Sequence, residues 1–316
     1  MKIQLPPRIA QPFRPQQYII HEALKNAVEV AIALEQPLLL TGEPGTGKTK
    51  LAQKVSLDLS EMPDSDFADK PLIFNTKTTS SARDLFYTYD ALSHFQAANI
   101  KQQGATEINN TAGFIELQAL GKAIAFTNKK GAVDGTKFST PLPEKPQSSV
   151  VLVDEIDKAP RDFTNDILDE IENYRFRMKE QDNYLIENDP DRKIVVIMTS
   201  NSEKNLPDAF LRRCVFYHIP FPSDDLLKEI VKTQMGSSTQ FTEKALDELI
   251  GKFNEVRKKA VRKPPATAEL IAWLRVLEMQ RFMEVKEAQQ KQQLLDNLSL
   301  LVKTREDLEA VKSLFR

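Results

Sequence analysis

Cysteine is almost missing from this chain: Cys214 is the single one in 316 residues, so no internal disulfide can form. Histidine is scarce as well, with His21, His94 and His218 far apart, and one thiol beside them makes no zinc-type spacing. These shortages exclude a disulfide-stapled secreted scaffold and a His/Cys metal centre, and they predict a cytoplasmic chain. An excess of one charge is missing too. Lys+Arg 43 against Asp+Glu 45 leaves a formal net charge of -2, so any binding of nucleic acid or anionic lipid must be local. No apolar run approaches the roughly 20 residues of a membrane span, and the opening MKIQLPPRIAQPFRP has no apolar export segment, so membrane insertion is not expected. What is present is a composition able to bury a core, 41% hydrophobic and 28% charged. At roughly 100–200 residues per domain the length predicts two domains.

Five runs of β-branched and aliphatic residues read as buried strands: PLLL (37–40), PLIFNT (71–76), SVVLVDE (149–155), KIVVIMTS (193–200) and CVFYHIPF (214–221). They are nearly continuous in apolar character and alternate with helical patterns, as a parallel sheet covered on both faces requires. Residues 1–222 are therefore expected to form an α/β domain. From 223 to 316 the strand signal stops. Helical periodicity runs through DLLKEIVKTQM, EKALDELIGKFNEVRKKA, TAELIAWLRVLEMQRFM and LLDNLSLLVKTREDLEAVKSLF, predicting a second domain of about four helices. Pro264 and Pro265 precede the third of these, with Thr267 as its expected N-cap, while Trp273, Leu270 and Leu274 read as its packing face. Between the second and third strands, SARDLFYTYDALSHFQAANI (81–100) and FIELQALGKAIAF (114–126) read as one helix carrying an insertion at 101–113, with Phe86, Tyr87 and Tyr89 at helical spacing as core. The polar stretch 127–147 reads as a solvated loop.

The glycines are few, ten in all, yet Gly42, Gly45 and Gly47 crowd into TGEPGTGKTK directly after the first strand. This is G-x-x-x-x-G-K-[ST], in which inward-pointing backbone N–H groups cradle phosphate and a Cβ would obstruct the approach. The segment Gly42, Glu43, Pro44, Gly45, Thr46, Gly47, Lys48, Thr49 and Lys50 is thus the candidate phosphate site. Lys48 is expected to reach the β- and γ-phosphates, Thr49 to ligate Mg²⁺, and the following helix to add its positive dipole end. The third strand ends in Asp154 and Glu155, two acids emerging at the sheet edge where open α/β sheets place ligands. Asp154 is assigned to magnesium and Glu155 to polarising the attacking water. The fourth strand ends in Thr199, Ser200 and Asn201 at the same edge, and Asn201 is the candidate for holding water or the γ-phosphate.

GEPGTGKT, VLVDEIDKAPRD, TSN and LPDAFLRRC, in that order, resemble the Walker A, Walker B, sensor 1 and arginine-finger segments of AAA+ ATPases. Within that superfamily the chain is most similar to the MoxR group and its dynein-related relatives, through YIIHEALKNAVEVAIALEQPLLL, the interrupted segment 81–126 as a helix-2 insert, and ENYRFRMKEQDNYLIENDPDRK (172–193) as a hairpin before sensor 1. The resemblance implies a P-loop NTPase fold, with a parallel five-stranded sheet flanked by helices and a C-terminal helical lid. It implies ATP and Mg²⁺ as cofactors, a ring homo-oligomer of usually six subunits, and Arg213 as a finger offered in trans, with Arg212 as the neighbour that caps a helix or pairs with a carboxylate. It also places Tyr18, Ile19 and Ile20 as candidates for the base pocket, a run that reads equally as core. The position matching the lid's sensor 2 arginine is Glu269, an acid, so no sensor 2 residue is expected unless Arg262, Lys263 or Arg275 substitutes.

Three functions follow from these residues. The favoured one is an ATP-hydrolysing, chaperone-like remodeller of a partner protein. MoxR-type ATPases often act with a separate von Willebrand factor A protein, and no D-x-S-x-S site occurs in this chain. The alternative is a nucleic-acid-acting motor or loader, for which the basic run VRKKAVRK (256–263) is the local candidate, although its spacing reads as a solvated face. A phosphotransferase would use the same loop without a trans arginine.

Overall fold

The computed structural model describes residues 12–101, 111–202, 206–236 and 239–315. In chain order the strands are β1 (Leu38–Gly42), β2 (Leu72–Asn75), β3 (Tyr87–Tyr89), β4 (Ile115–Leu117), β5 (Ser149–Asp154), β6 (Arg175–Met178), β7 (Tyr184–Glu187), β8 (Ile194–Thr199) and β9 (Val215–Ile219). The helices are α1 (Glu22–Leu34), α2 (Lys48–Ser60), α3 (Ala91–Lys101), α4 (Ala119–Phe126), α5 (Arg161–Asp166), α6 (Leu168–Asn173), α7 (Asp208–Leu211), α8 (Asp224–Met235), α9 (Glu243–Lys259), α10 (Thr267–Met279), α11 (Glu287–Asp296), α12 (Leu298–Leu301) and α13 (Arg305–Lys312).

The five apolar runs form one sheet in the order β2-β5-β8-β1-β9, with every pairing parallel. Burial follows position. The central strands β8 and β1 are buried at every residue, and β5 until Asp154, whereas the edges β2 and β9 alternate in exposure and turn Ile73 and Phe216 outward. The register sets Leu40 beside Thr199 and Val153 beside Met198, so the C-terminal ends of β1, β8 and β5 lie side by side. That edge carries the candidate site.

Two compact units are present: one of residues Ile20–Gly42 and Lys48–Ile219, the other of Pro220–Arg316 together with the loop Glu43–Gly47 and the described residues up to Ile19. In the sheet-bearing unit, the expected interrupted helix over 81–126 is corrected. Tyr87–Tyr89 is a strand pairing antiparallel with Ile115–Leu117, and among the described residues of this stretch α-helix is confined to α3 and α4, with short 3-10 turns at Ala82–Leu85 and Thr111–Phe114. Alternation decides it: Tyr87 is buried while Thr88 is exposed, and across the pair Ile115 and Leu117 are buried while Glu116 is exposed. Phe86 and Tyr87 are core residues, as expected, stacking on Phe176 of β6. Most of the expected insertion, residues 102–110, lies outside the described residues. The β6–β7 hairpin falls where the resemblance placed it.

The helical unit packs α8, α9 and α10 around Trp273, Leu270 and Leu274, all fully buried. Two details of the reading are corrected. The N-cap of α10 is Ala266, not Thr267, and the Glu269 carboxylate accepts the Ala266 N–H at 3.2 Å, so the first turn is closed from inside the helix. The last helical stretch is three helices, broken at Asn297 and again before Thr304, whose hydroxyl caps α13 by accepting from Asp307 N–H at 3.1 Å. Asp307 in turn is buried and accepts from Arg262 N–H, Lys263 N–H and the Thr304 hydroxyl at 3.2, 3.1 and 2.8 Å. Burial acts to raise this carboxyl, but those donors outweigh it and hold it below its ordinary value of 3.8. A lowered folded-state pKa contributes stability that is complete above the unfolded value and is lost as pH falls through the folded one. Replacing Asp307 by Asn should lower the melting temperature at neutral pH, and the gap between wild type and variant should shrink below pH 3.8. Thermal melts across pH check this, and a gap that persists unchanged into acid would contradict it.

Candidate functional site

In the sheet-bearing unit the site is built on a carboxylate that two hydroxyls share. Asp154 Oδ1 accepts from the Thr49 hydroxyl at 3.0 Å and from the Thr199 hydroxyl at 2.6 Å. Thr199 Oγ1 also accepts the Glu155 N–H at 2.9 Å, so the ends of β5 and β8 and the first turn of α2 are tied at one point. Lys48, at the start of α2 and only 7% exposed, donates from Nζ to the Gly42 carbonyl at 2.7 Å. A buried ammonium is tolerable there because a carbonyl receives it. The donor set around Asp154 consists of a carboxylate and hydroxyls, hard oxygens of the kind Mg²⁺ selects.

Glu155 leaves the strand in the left-handed region, φ 56 and ψ 51, uncommon for a side-chain-bearing residue. Such a conformation costs of order 1–3 kcal/mol and persists where surrounding bonds over-determine it. The Thr199 hydroxyl supplies one such bond. The Glu155 carboxylate pairs with Lys158, whose ammonium is held above its ordinary 10.5 by that hydrogen bond. Asn201 is exposed, and its main-chain N–H donates to Asp157 Oδ1 at 3.3 Å. At this strand end the Thr199 side chain is bonded to Asp154, while Asn201 meets Asp157 through its main chain. The sequence placed Thr199 at this edge but gave it no role of its own, because a Thr closing an apolar strand reads as a β-former.

Arg213 donates from Nε to Glu172 of α6 at 3.3 Å and from Nη1 to the Ala209 carbonyl at 2.9 Å, with its side chain 47% exposed. The role expected of Arg212, pairing with a carboxylate, is thus taken in this chain by Arg213. Arg212 is exposed, with no side-chain hydrogen bond or ion pair among the described residues. Cys214 packs against the core, and burial pushes its thiol up to about 12, which leaves it inert at neutral pH.

In the helical unit the loop Glu43–Gly47 has its own partners. Gly45 and Gly47 have φ of +80 and +89, in the region that favours glycine. A Cβ on Gly45 would stand 2.7 Å from that of Ala266, and one on Gly47 would stand 3.1 Å from Cε2 of Tyr18. Tyr18 and Ile19 are half-buried here, as is Ile20 in the other unit, so the run is not plain core. Glu43 pairs with Arg257 of α9, a contact no sequence pattern announced. The basic run 256–263 is accordingly not a uniformly solvated face: Val256 and Ala260 are fully buried and the Arg257 side chain is 15% exposed. Arg262 pairs with Glu306 at 2.8 Å, Arg275 donates to the Gln234 carbonyl at 3.0 Å, and the Lys263 N–H serves Asp307.

A parallel sheet with a glycine-rich loop after its first strand, a helix opening on Lys-Thr and an acid at the end of the strand one place removed, β5, defines a P-loop nucleotide-binding fold. The family described as AAA domain (dynein-related subfamily) matches residues 37–214, more than half of the chain, and the chain belongs to it. No curated protein matches the chain in sequence. Among solved structures the chain is similar to a katanin determined in work on its self-assembly, with 13% identity and TM-score 0.42 over 94% of this chain and 83% of that one. It is similar also to domain III of the Thermotoga maritima replication initiation protein DnaA, with 12% identity and TM-score 0.46 over 92% and 97%. A third is the AAA domain of FIGL-1 in complex with ADP, with 15% identity and TM-score 0.42 over 93% and 82%. Among the described residues no helix is long and apolar enough to cross a membrane.

Proposed function

We propose that this AAA+ chain is a Mg²⁺-dependent ATPase of the MoxR group that works in the cytoplasm as a ring, usually of six, and remodels a separate partner protein, one bearing a von Willebrand factor A domain being the class that fits. The observation that carries the hydrolytic reading is the Asp154 carboxylate shared by Thr49 and Thr199 beside Lys48. Thr49 and Asp154 would hold the cation, which when bound draws charge from the phosphate oxygens as the transferred group departs. Lys48 exchanges the Gly42 carbonyl for phosphate oxygen, which keeps its buried charge satisfied. Glu155 accepts the proton of the attacking water once Lys158 is displaced; their ion pair is about half exposed and screened by solvent, so the displacement costs little. Arg213 reaches a neighbouring protomer's triphosphate by leaving Glu172, another exposed pair of similarly small worth.

Replacing Lys48 by Ala tests the reading. Binding of a fluorescent ATP analogue should weaken by about 100-fold or more, since a charge-assisted contact from the buried Lys48 ammonium to phosphate is lost. Equal affinity in wild type and variant would remove the loop from nucleotide binding.

A further inference from the structure

Arg257 stands at the last turn of α9, directly after the buried Val256, where a cation complements the helix dipole. Its guanidinium is held from three sides. The plane lies over the Phe221 ring, 3.5 Å from the centroid; Nη1 donates to the Pro265 carbonyl at 2.6 Å; Nη2 pairs with the Glu43 carboxylate. A planar fork fixed in this way spends little further entropy to hold its partners.

Both partners lead to the phosphate loop. Glu43 is the second residue of the motif, and its carbonyl accepts from the Thr46 hydroxyl at 2.8 Å and the Thr46 N–H at 3.4 Å, so holding Glu43 holds the turn across residues 43–46. Pro265 precedes Ala266, the residue against which Gly45 is pressed too closely for any Cβ. Arg257 thus grips the loop at Glu43 and also the segment on which the loop's middle glycine rests. Glu269, at the position where a lid cation is expected, closes the first turn of α10 instead.

We propose that Arg257 is a positioning residue for nucleotide binding: through Glu43 and Pro265 it sets the arrangement of the loop amides that receive phosphate, with no contact of its own to the nucleotide. The proposal rests on the loop binding a nucleoside triphosphate as argued above. Glu43 acts on the loop through Arg257, so once Arg257 is gone the further loss of Glu43 should add nothing, while loss of Glu43 alone should be at most as severe as loss of Arg257, which also holds Pro265.

The test is a double-mutant cycle on ATP-analogue affinity in the full chain, in a Glu155→Gln background that suppresses turnover. Arg257→Gln should weaken binding by about tenfold and Glu43→Ala by at most as much, and the double variant should be no worse than Arg257→Gln alone. Arg257→Lys, which keeps charge and stem but loses the fork, should fall between wild type and Arg257→Gln. Arg305→Gln, on an exposed pair with Glu309, should bind as the parent does. With Glu155 intact, Arg257→Gln should raise KM and leave kcat within about twofold, a split that general loss of folding does not give. The proposal is overturned if Glu43→Ala binds like the parent while Arg257→Gln does not, which would put Arg257 on the nucleotide itself. Additive single effects, or parental affinity in Arg257→Gln, overturn it as well. Failure of the wild-type chain to bind nucleotide at all would instead defeat the phosphate-loop reading beneath it.

Discussion

Glu155→Gln is expected to lower ATP turnover by about 10²–10⁴ while the nucleotide continues to bind. Glutamine preserves size and the hydrogen bond to Thr199, since that bond is donated by the main-chain N–H of residue 155 to the Thr199 hydroxyl. What it loses is the capacity to take a proton from water. The left-handed backbone at Glu155 makes this substitution cleaner than most, because the strand end is held by Thr199 rather than by the acid side chain. Phosphate release measured beside analogue affinity separates the two steps. Turnover that persists in the variant would reject Glu155 as the base, whereas lost binding would mean that the acid cluster shapes the loop.

The second large effect is expected at Arg213. Known arginine fingers contribute roughly 10³–10⁵ in rate because a guanidinium meets charge that grows on the transferred phosphoryl group. Arg213→Ala should therefore reduce turnover by about 10³, with affinity for ATP changed little. Arg212 offers the direct contrast. It lies one residue away and is also exposed, so Arg212→Ala with a loss of this size and Arg213→Ala without one would reassign the finger. The Glu172 partner adds a sign: Glu172→Gln frees Arg213 and should leave turnover at or above wild type.

Much of the sheet could be read from sequence because its strands are short, apolar and bounded, and each run states its own burial. Tyr87–Tyr89 could not, because its strand character depends on pairing with Ile115–Leu117 far along the chain, while its local spacing fits a helix equally well. The phosphate loop and Asp154 were legible for a chemical reason: glycines at fixed spacing and acids at a strand end have few other uses. The role of Thr199 was hidden because it lies in two hydrogen bonds that a β-branched residue does not advertise. Arg257 was hidden in a run of cations, and what separates it from Lys258 and Lys259 is Glu43, 214 positions away. Long-range polar partners are the part of a site that periodicity and spacing do not encode.

The central claim is that one protomer's Arg213 completes another protomer's acid cluster. Mixing inactive Glu155→Gln protein with inactive Arg213→Ala protein tests it most directly. In a head-to-tail ring, Glu155 of an Arg213→Ala protomer meets the intact arginine of a Glu155→Gln neighbour, so an equal mixture should recover up to about a quarter of wild-type turnover. If both residues serve the nucleotide of their own chain, the mixture stays as inactive as its components.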